Sequence, residues 1–126
     1  MHNSTNPHII RLRKPWKKTV EGSVESSRID VPEPFGEESL ATAIYERPFN
    51  QPTGLQGDSR VLLRIESWIG AIASLTVNET QLVVAAPPAE IDITSLLEKH
   101  NKLMIQIRAE NDVPPRLSGA ITLAIH

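Results

Sequence analysis

Fifteen carboxylates and four histidines are the residues of this 126-residue chain best able to do chemistry, and their spacing argues against most of it. Hydrolysis by a carboxylate pair needs the two groups roughly 5–10 Å apart across a cleft. Glu37-Glu38, Glu66, Glu79 and Glu110-x-Asp112 fall mostly at predicted turns or on polar strand faces, where charge is simply solvated. None stands at the spacing of a base and its nucleophile. His2, His8, His100 and His126 form no i, i+2 or i, i+4 pair that would face one metal. Cysteine is absent, which removes disulfides, thiolate nucleophiles and cysteine zinc sites together. The sequence therefore assigns no catalytic residue, no metal residue and no cofactor. A structural calcium ion on loop carbonyls with Glu110, Asp112 or Asp58 is the one metal it leaves open.

Binding chemistry fares better. Trp68 falls in a predicted turn between two apolar strands, where an indole offers a flat face to the C–H groups of a sugar ring. Arg64, Glu66 and Asn78 lie near it in sequence and could bond hydroxyls, so these four residues form the candidate ligand site. The competing role for Trp68 is to fold back and plug one end of the core; core or rim packing is the expectation for Trp16 and Tyr45. Arg11-Leu-Arg-Lys-Pro-Trp-Lys-Lys18 carries five cations, no acid and an aromatic. Such a run suits nucleic-acid phosphates with stacking on the tryptophan, or an edge strand guarded against unwanted pairing. An acidic run from Glu21 to Glu38 follows and could neutralise it, and the net charge of −2 gives no global attraction to phosphate backbones or anionic membranes. Asn3-Ser-Thr5 and Asn78-Glu-Thr80 match the glycosylation acceptor pattern, read here as coincidence.

The elements that must position these side chains are strands. Ser59–Glu66, Lys102–Ala109 and Leu117–Ile125 alternate apolar and polar residues with period two, putting one row inward and the other outward. Val61, Leu63 and Ile65 form one such inward row; Ala73, Leu75 and Val77 form the row of a returning hairpin strand. Further strands are predicted at His8–Arg13, Arg28–Val31, Leu40–Arg47, Thr80–Ala85 and, as an edge, Glu90–Ile93. Thr19–Glu38 reads otherwise as loop. Thr94–Lys99 reads as one helical turn, capped by Thr94 or Ser95 with Glu98 at capping-box distance from Ser95. About eight strands on short turns describe an all-β, two-sheet antiparallel jelly-roll sandwich. Aromatics make up 4% of the chain, so the core is expected to be aliphatic.

In order along the chain, Leu12-Arg-Lys-Pro-Trp16, Asp30-Val-Pro32, Tyr45-Glu-Arg-Pro-Phe49, Arg60–Glu66 with Leu75-Thr-Val-Asn78, Asp92-Ile-Thr-Ser-Leu-Leu97 with Asn101-Lys-Leu103, and Leu117-Ser-Gly119 follow a recognisable pattern. This pattern resembles the galactose-binding-like jelly roll, in particular the sugar-binding domain of family-two glycoside hydrolases. The resemblance covers roughly residues 10–126, and the stretch from Asp92 to Leu103 is its most specific part. Glu79, Ser67 and His100 stand where that pattern has glycine, which predicts altered turns. The resemblance implies an accessory sandwich, because the catalytic carboxylates of those hydrolases lie in a separate barrel domain.

The resulting expectation is a flexible tail over 1–7 and one sandwich domain over 8–126, without catalysis of its own. Its ligand is expected to be carbohydrate, held by loops at one end of the sandwich. The alternative is an interaction or assembly module that docks a protein partner or a second copy; a hydrolase is the remote third. Neither nucleic acid nor membrane is an expected partner. The opening residues lack the basic and apolar regions of a secretion signal, and no stretch approaches the ~18 apolar residues of a membrane span. The expected location is cytoplasmic.

Overall fold

A computed structural model describes residues 8–34 and 39–126. The tail expected over 1–7, with Asn3-Ser-Thr5, and the Glu37-Glu38 pair lie outside the described residues. Among the described residues ten strands form two antiparallel sheets. The four-stranded sheet runs β1 (His8–Arg11), β10 (Ile121–Ile125), β5 (Val61–Ile65), β8 (Ala89–Asp92). The six-stranded sheet runs β3 (Ser26–Ile29), β2 (Trp16–Val20), β4 (Ala43–Asn50), β9 (His100–Arg108), β6 (Ala71–Val77), β7 (Thr80–Gln81).

The period-two rows meet between the layers. Tyr45, Ile105 and Leu75 are cross-strand neighbours, as are Leu63 and Leu123 on the facing sheet, and all five are essentially inaccessible. Burying one such aliphatic side chain stabilises the fold by about 1.5–3 kcal/mol. The core is mainly aliphatic, but Trp16 and Tyr45 are also completely buried. Trp16 satisfies its indole N–H on the Leu12 carbonyl at 2.7 Å.

Four features depart most from the sequence reading. First, β2 occupies part of the predicted loop. Its inward row is Trp16, Lys18 and Val20, so a buried cation interrupts the apolar alternation. The Lys18 ammonium lies 2.9 Å from a Glu33 carboxylate oxygen, whose other oxygen accepts the Tyr45 hydroxyl at 2.5 Å and the Leu117 N–H at 3.2 Å. Second, β5 and β6 are not a hairpin. They belong to opposite sheets, and residues 66–70 cross between the layers. Third, Ala73 faces solvent, because a bulge between Ile72 and Ser74 shifts the register against β9.

Fourth, the turn after β8 is capped differently. The 3₁₀ turn Thr94–Leu96 has no side-chain cap from Thr94 or Ser95; instead Asp92 accepts the Thr94 N–H at 2.9 Å and its hydroxyl at 2.6 Å. Of the predicted 80–85 strand, Thr80–Gln81 pair with β6, and the Leu82 N–H donates to the Leu75 carbonyl at 2.8 Å. Pro48 lies within β4, where β2 pairing has ended at Glu46, so that side of the strand is an edge that tolerates proline.

Candidate functional site

Alternation along β5 points Arg64 outward from the four-stranded sheet, and register assembles its neighbours. Arg11, Thr122, Arg64 and Glu90 form one rung across β1, β10, β5 and β8. A groove of about 450 Å³ opens at Arg64, lined among others by Glu66, Pro88, Glu90, Ala120 and Thr122. Ala120 and Thr122 are short, so the middle of the sheet lies lower than the charged side chains around it. The Arg64 Nε–H donates to Glu90 at 2.5 Å, and both side chains remain substantially exposed. Such a solvent-screened pair contributes about 0–1 kcal/mol to stability; its main effect is to hold a guanidinium and a carboxylate in fixed orientation beside the groove.

Two of the four sequence candidates, Arg64 and Glu66, therefore line one groove. Trp68 lies two residues beyond Glu66 on the crossing segment, at the same end of the sandwich. That segment is zipped to residues 116–119: Ile69 and Arg116 exchange both backbone bonds at 2.8 and 3.0 Å, and the Gly119 N–H donates to the Ser67 carbonyl at 3.0 Å. A Cβ at Gly119 would stand 2.5 Å from the Ser67 nitrogen, and one at Gly70, whose φ is +111°, would stand 2.4 Å from the Arg108 carbonyl. Trp68 is half-buried and packs against the core, so the indole closes this end of the sandwich while keeping part of its surface accessible.

Asn78 is not part of this arrangement. It follows β6 at the end opposite Trp68, about 20 Å away at the rise of a strand. Its amide group donates to the Leu96 carbonyl at 3.0 Å and to Asn101 Oδ1 at 2.7 Å, and its oxygen accepts the Lys102 N–H at 2.9 Å. Every polar atom of its side chain is used in tying the β6–β7 turn to β9. Asn78 and Glu79 both take positive φ, 51° and 71°, so the turn keeps the left-handed geometry for which glycine is favoured even though neither residue is one. His100 opens β9 and bonds Asn50 through its side chain at 2.9 Å.

Glu90, Pro88 and Thr122 are groove residues that the sequence reading did not single out. Pairing brings them to Arg64 from distant parts of the chain, and no local motif marks them. Among the described residues no group of three or more His, Asp and Glu side chains is placed to hold a metal. Asn111 and Asp112 instead form a left-handed turn closed by the Glu110–Val113 bridge.

Ionisation elsewhere follows local contacts. Hydrogen bonding to Lys102, reinforced by the charges of Lys102 and Lys17, holds Glu46 below its ordinary carboxyl value against the opposing effect of burial. The two Thr94 hydrogen bonds, with Arg60 nearby, do the same for Asp92.

The sandwich has close counterparts among solved structures. A β-glucuronidase described as FMN-binding, from Facaelibacterium prausnitzii L2-6, superposes with a TM-score of 0.78 at 20% identity, over 97% of this chain and 23% of that one. A β-D-mannosidase from Dictyoglomus thermophilum gives 0.69 at 14% identity, over 92% and 22%. A Ruminococcus gnavus β-glucuronidase gives 0.69 at 13% identity, over 98% and 29%. The chain shares the jelly-roll fold of the matching region of these enzymes. At these identities the likeness is one of fold, and the chain spans less than a third of each of those enzymes. No protein-family model matches the sequence, and no curated protein matches it.

Proposed function

We propose that this chain is a non-catalytic accessory module that recognises carbohydrate through the groove on its four-stranded sheet. The observation that carries the reading is the oriented Arg64–Glu90 pair, with Glu66 and Thr122, around a low floor of short side chains. The groove is within the size range of small-molecule sites, and its charged and hydroxyl groups are the kind that bond vicinal sugar hydroxyls. Trp68, on the segment leading out of Glu66, supplies the accessible aromatic edge of the same end. The structural neighbours' names, glucuronidase and mannosidase, fit a carbohydrate context for this fold. Glu90 is bound to Arg64 through one carboxylate oxygen, which suits positioning more than proton transfer.

The test is binding to a glycan array, followed by calorimetry on any hit, for the native chain and for Arg64→Ala. The variant is expected to lose about tenfold or more in affinity, the worth of a hydrogen bond to a charged group. Its thermal midpoint should stay within a few degrees, because the pair it breaks is exposed. An array without hits, or a hit that Arg64→Ala binds equally well, would overturn the proposal.

A second reading, docking to another protein domain, is favoured by one observation: in each solved counterpart the matching region is part of a chain more than three times as long. A stable partner in pull-down or an oligomer in size-exclusion chromatography, together with a silent array, would select it.

A further inference from the structure

The five cations between Arg11 and Lys18 are one run in sequence, but the fold divides them. Lys17 pairs with Glu46, and Lys18 is buried against Glu33. Arg11, Arg13 and Lys14 are exposed and form no ion pair among the described residues. The acidic run that follows in sequence reaches this basic segment, among the described residues, only through Glu33.

A fourth cation joins them from β4. Arg47 stands in the inward row between Tyr45 and Phe49, yet its guanidinium faces no carboxylate among the described residues. Its Nη2 donates to the Lys14 carbonyl at 3.2 Å and its Nη1 to the Pro48 carbonyl, while its Nε is buried without an acceptor. Desolvation by burial holds its pKa below the ordinary arginine value. Partial burial of a cation that lacks a counter-charge is unfavourable unless something negative accompanies it.

A cleft of about 440 Å³ opens beside this guanidinium, where β1 of one sheet faces β4 of the other. Its lining includes Arg47 and Asn50 over an apolar base of Ile10, Leu12 and Phe49, with Arg11, which alternation turns outward on the edge strand β1, at its margin, and contains no acidic side chain among the described residues. Asn50 has its oxygen on His100, which leaves its NH₂ group as a donor at the rim.

We propose that this cleft is an anion site, taking an oxyanion group such as a phosphate, sulfate or carboxylate between Arg11 and Arg47. Although Arg11 shares a rung with Arg64 through Thr122, the cleft and the groove have no lining residue in common, and the proposal does not rest on the carbohydrate reading. An oxyanion there would supply the counter-charge that Arg47 lacks among the described residues, and would accept charge-assisted hydrogen bonds from two guanidinium groups.

The experiment is an amide-resolved NMR titration of the native chain with sodium sulfate, phosphate and acetate, each against sodium chloride at matched ionic strength. Saturable shifts are expected at the amides of residues 10–14 and 47–50. Saturation by sulfate and phosphate alone would define a tetrahedral anion; saturation by acetate as well would extend the class to carboxylates.

Arg11→Gln removes an exposed side chain that no ion pair holds, so the variant should remain folded and lose about tenfold or more in affinity. Arg47→Gln should abolish saturation, with its amide spectrum checked for folding because the native side chain also bonds two carbonyls. The proposal is overturned if chloride reproduces the shifts, if the saturable shifts lie elsewhere, or if Arg11→Gln binds as tightly as the native chain.

Discussion

Replacing Lys18 by methionine would remove the cation that neutralises Glu33, a carboxylate that the fold has taken out of water. Lys18 and Glu33 are 3% and 6% exposed, and their 2.9 Å contact is backed by the Tyr45 and Leu117 bonds to the other carboxylate oxygen. Breaking a buried pair from one side costs about 3–5 kcal/mol, mostly because the remaining charge is stranded. Lys18→Met and Glu33→Gln should therefore each destabilise the chain by about 3 kcal/mol or more. In a chain of this size, that lowers the melting temperature by roughly 10–15 °C.

The double variant strands no charge, and the amide introduced by Glu33→Gln keeps an oxygen for the Tyr45 hydroxyl. It should cost about 2 kcal/mol, well short of the sum of the singles, giving a coupling of several kcal/mol. Urea unfolding of the four proteins measures this directly. If the double variant lost as much as the two singles added together, the pair would not be acting as a buried ionic unit.

Glu79→Gly should stabilise the chain by about 0.5 kcal/mol in the same assay. The gain from relieving a side chain at φ 71° is partly offset by the extra freedom of glycine in the unfolded state. Acid should act through Glu46 and Asp92. Their folded pKa values lie below the ordinary 4.5 and 3.8, so their contributions are complete above those values and are lost as pH falls through the folded ones. Glu46→Gln should flatten the decline in melting temperature below about pH 4.5, and an unchanged slope would remove Glu46 from that account.

The layers of this sandwich could be read in sequence wherever alternation was unbroken. The Leu63, Ile105 and Leu123 rows point inward as their spacing requires. Strand β2 was hidden because a cation fills one inward position, and no local pattern reveals that Glu33 neutralises it. Alternation also fixes which face a residue takes without fixing which strand lies beside it. The segments of β5 and β6 therefore looked like a hairpin, although they form opposite walls of the core.

Asn78 was grouped with Trp68 by nearness in sequence alone, and the full length of β6 carries it to the opposite end of the sandwich. Of the site, the outward position of Arg64 was legible, whereas Glu90 and Thr122 meet it only through pairing of distant segments. Arg47 was visible as a residue, but its lack of a counter-charge among the described residues emerges only when the surroundings of its guanidinium are known.

The unequal width of the two layers has a consequence for how this architecture can diverge. Strands β3 and β7 form the outer margins of the wider sheet and contain no buried residue. Hydrogen bonds to a single neighbour hold them, with little apolar area at stake, so their amides are the natural first openings under native conditions. Lengthening, shortening or re-sequencing these margins leaves the packed interior undisturbed, and new recognition surfaces can accumulate there at small cost to folding.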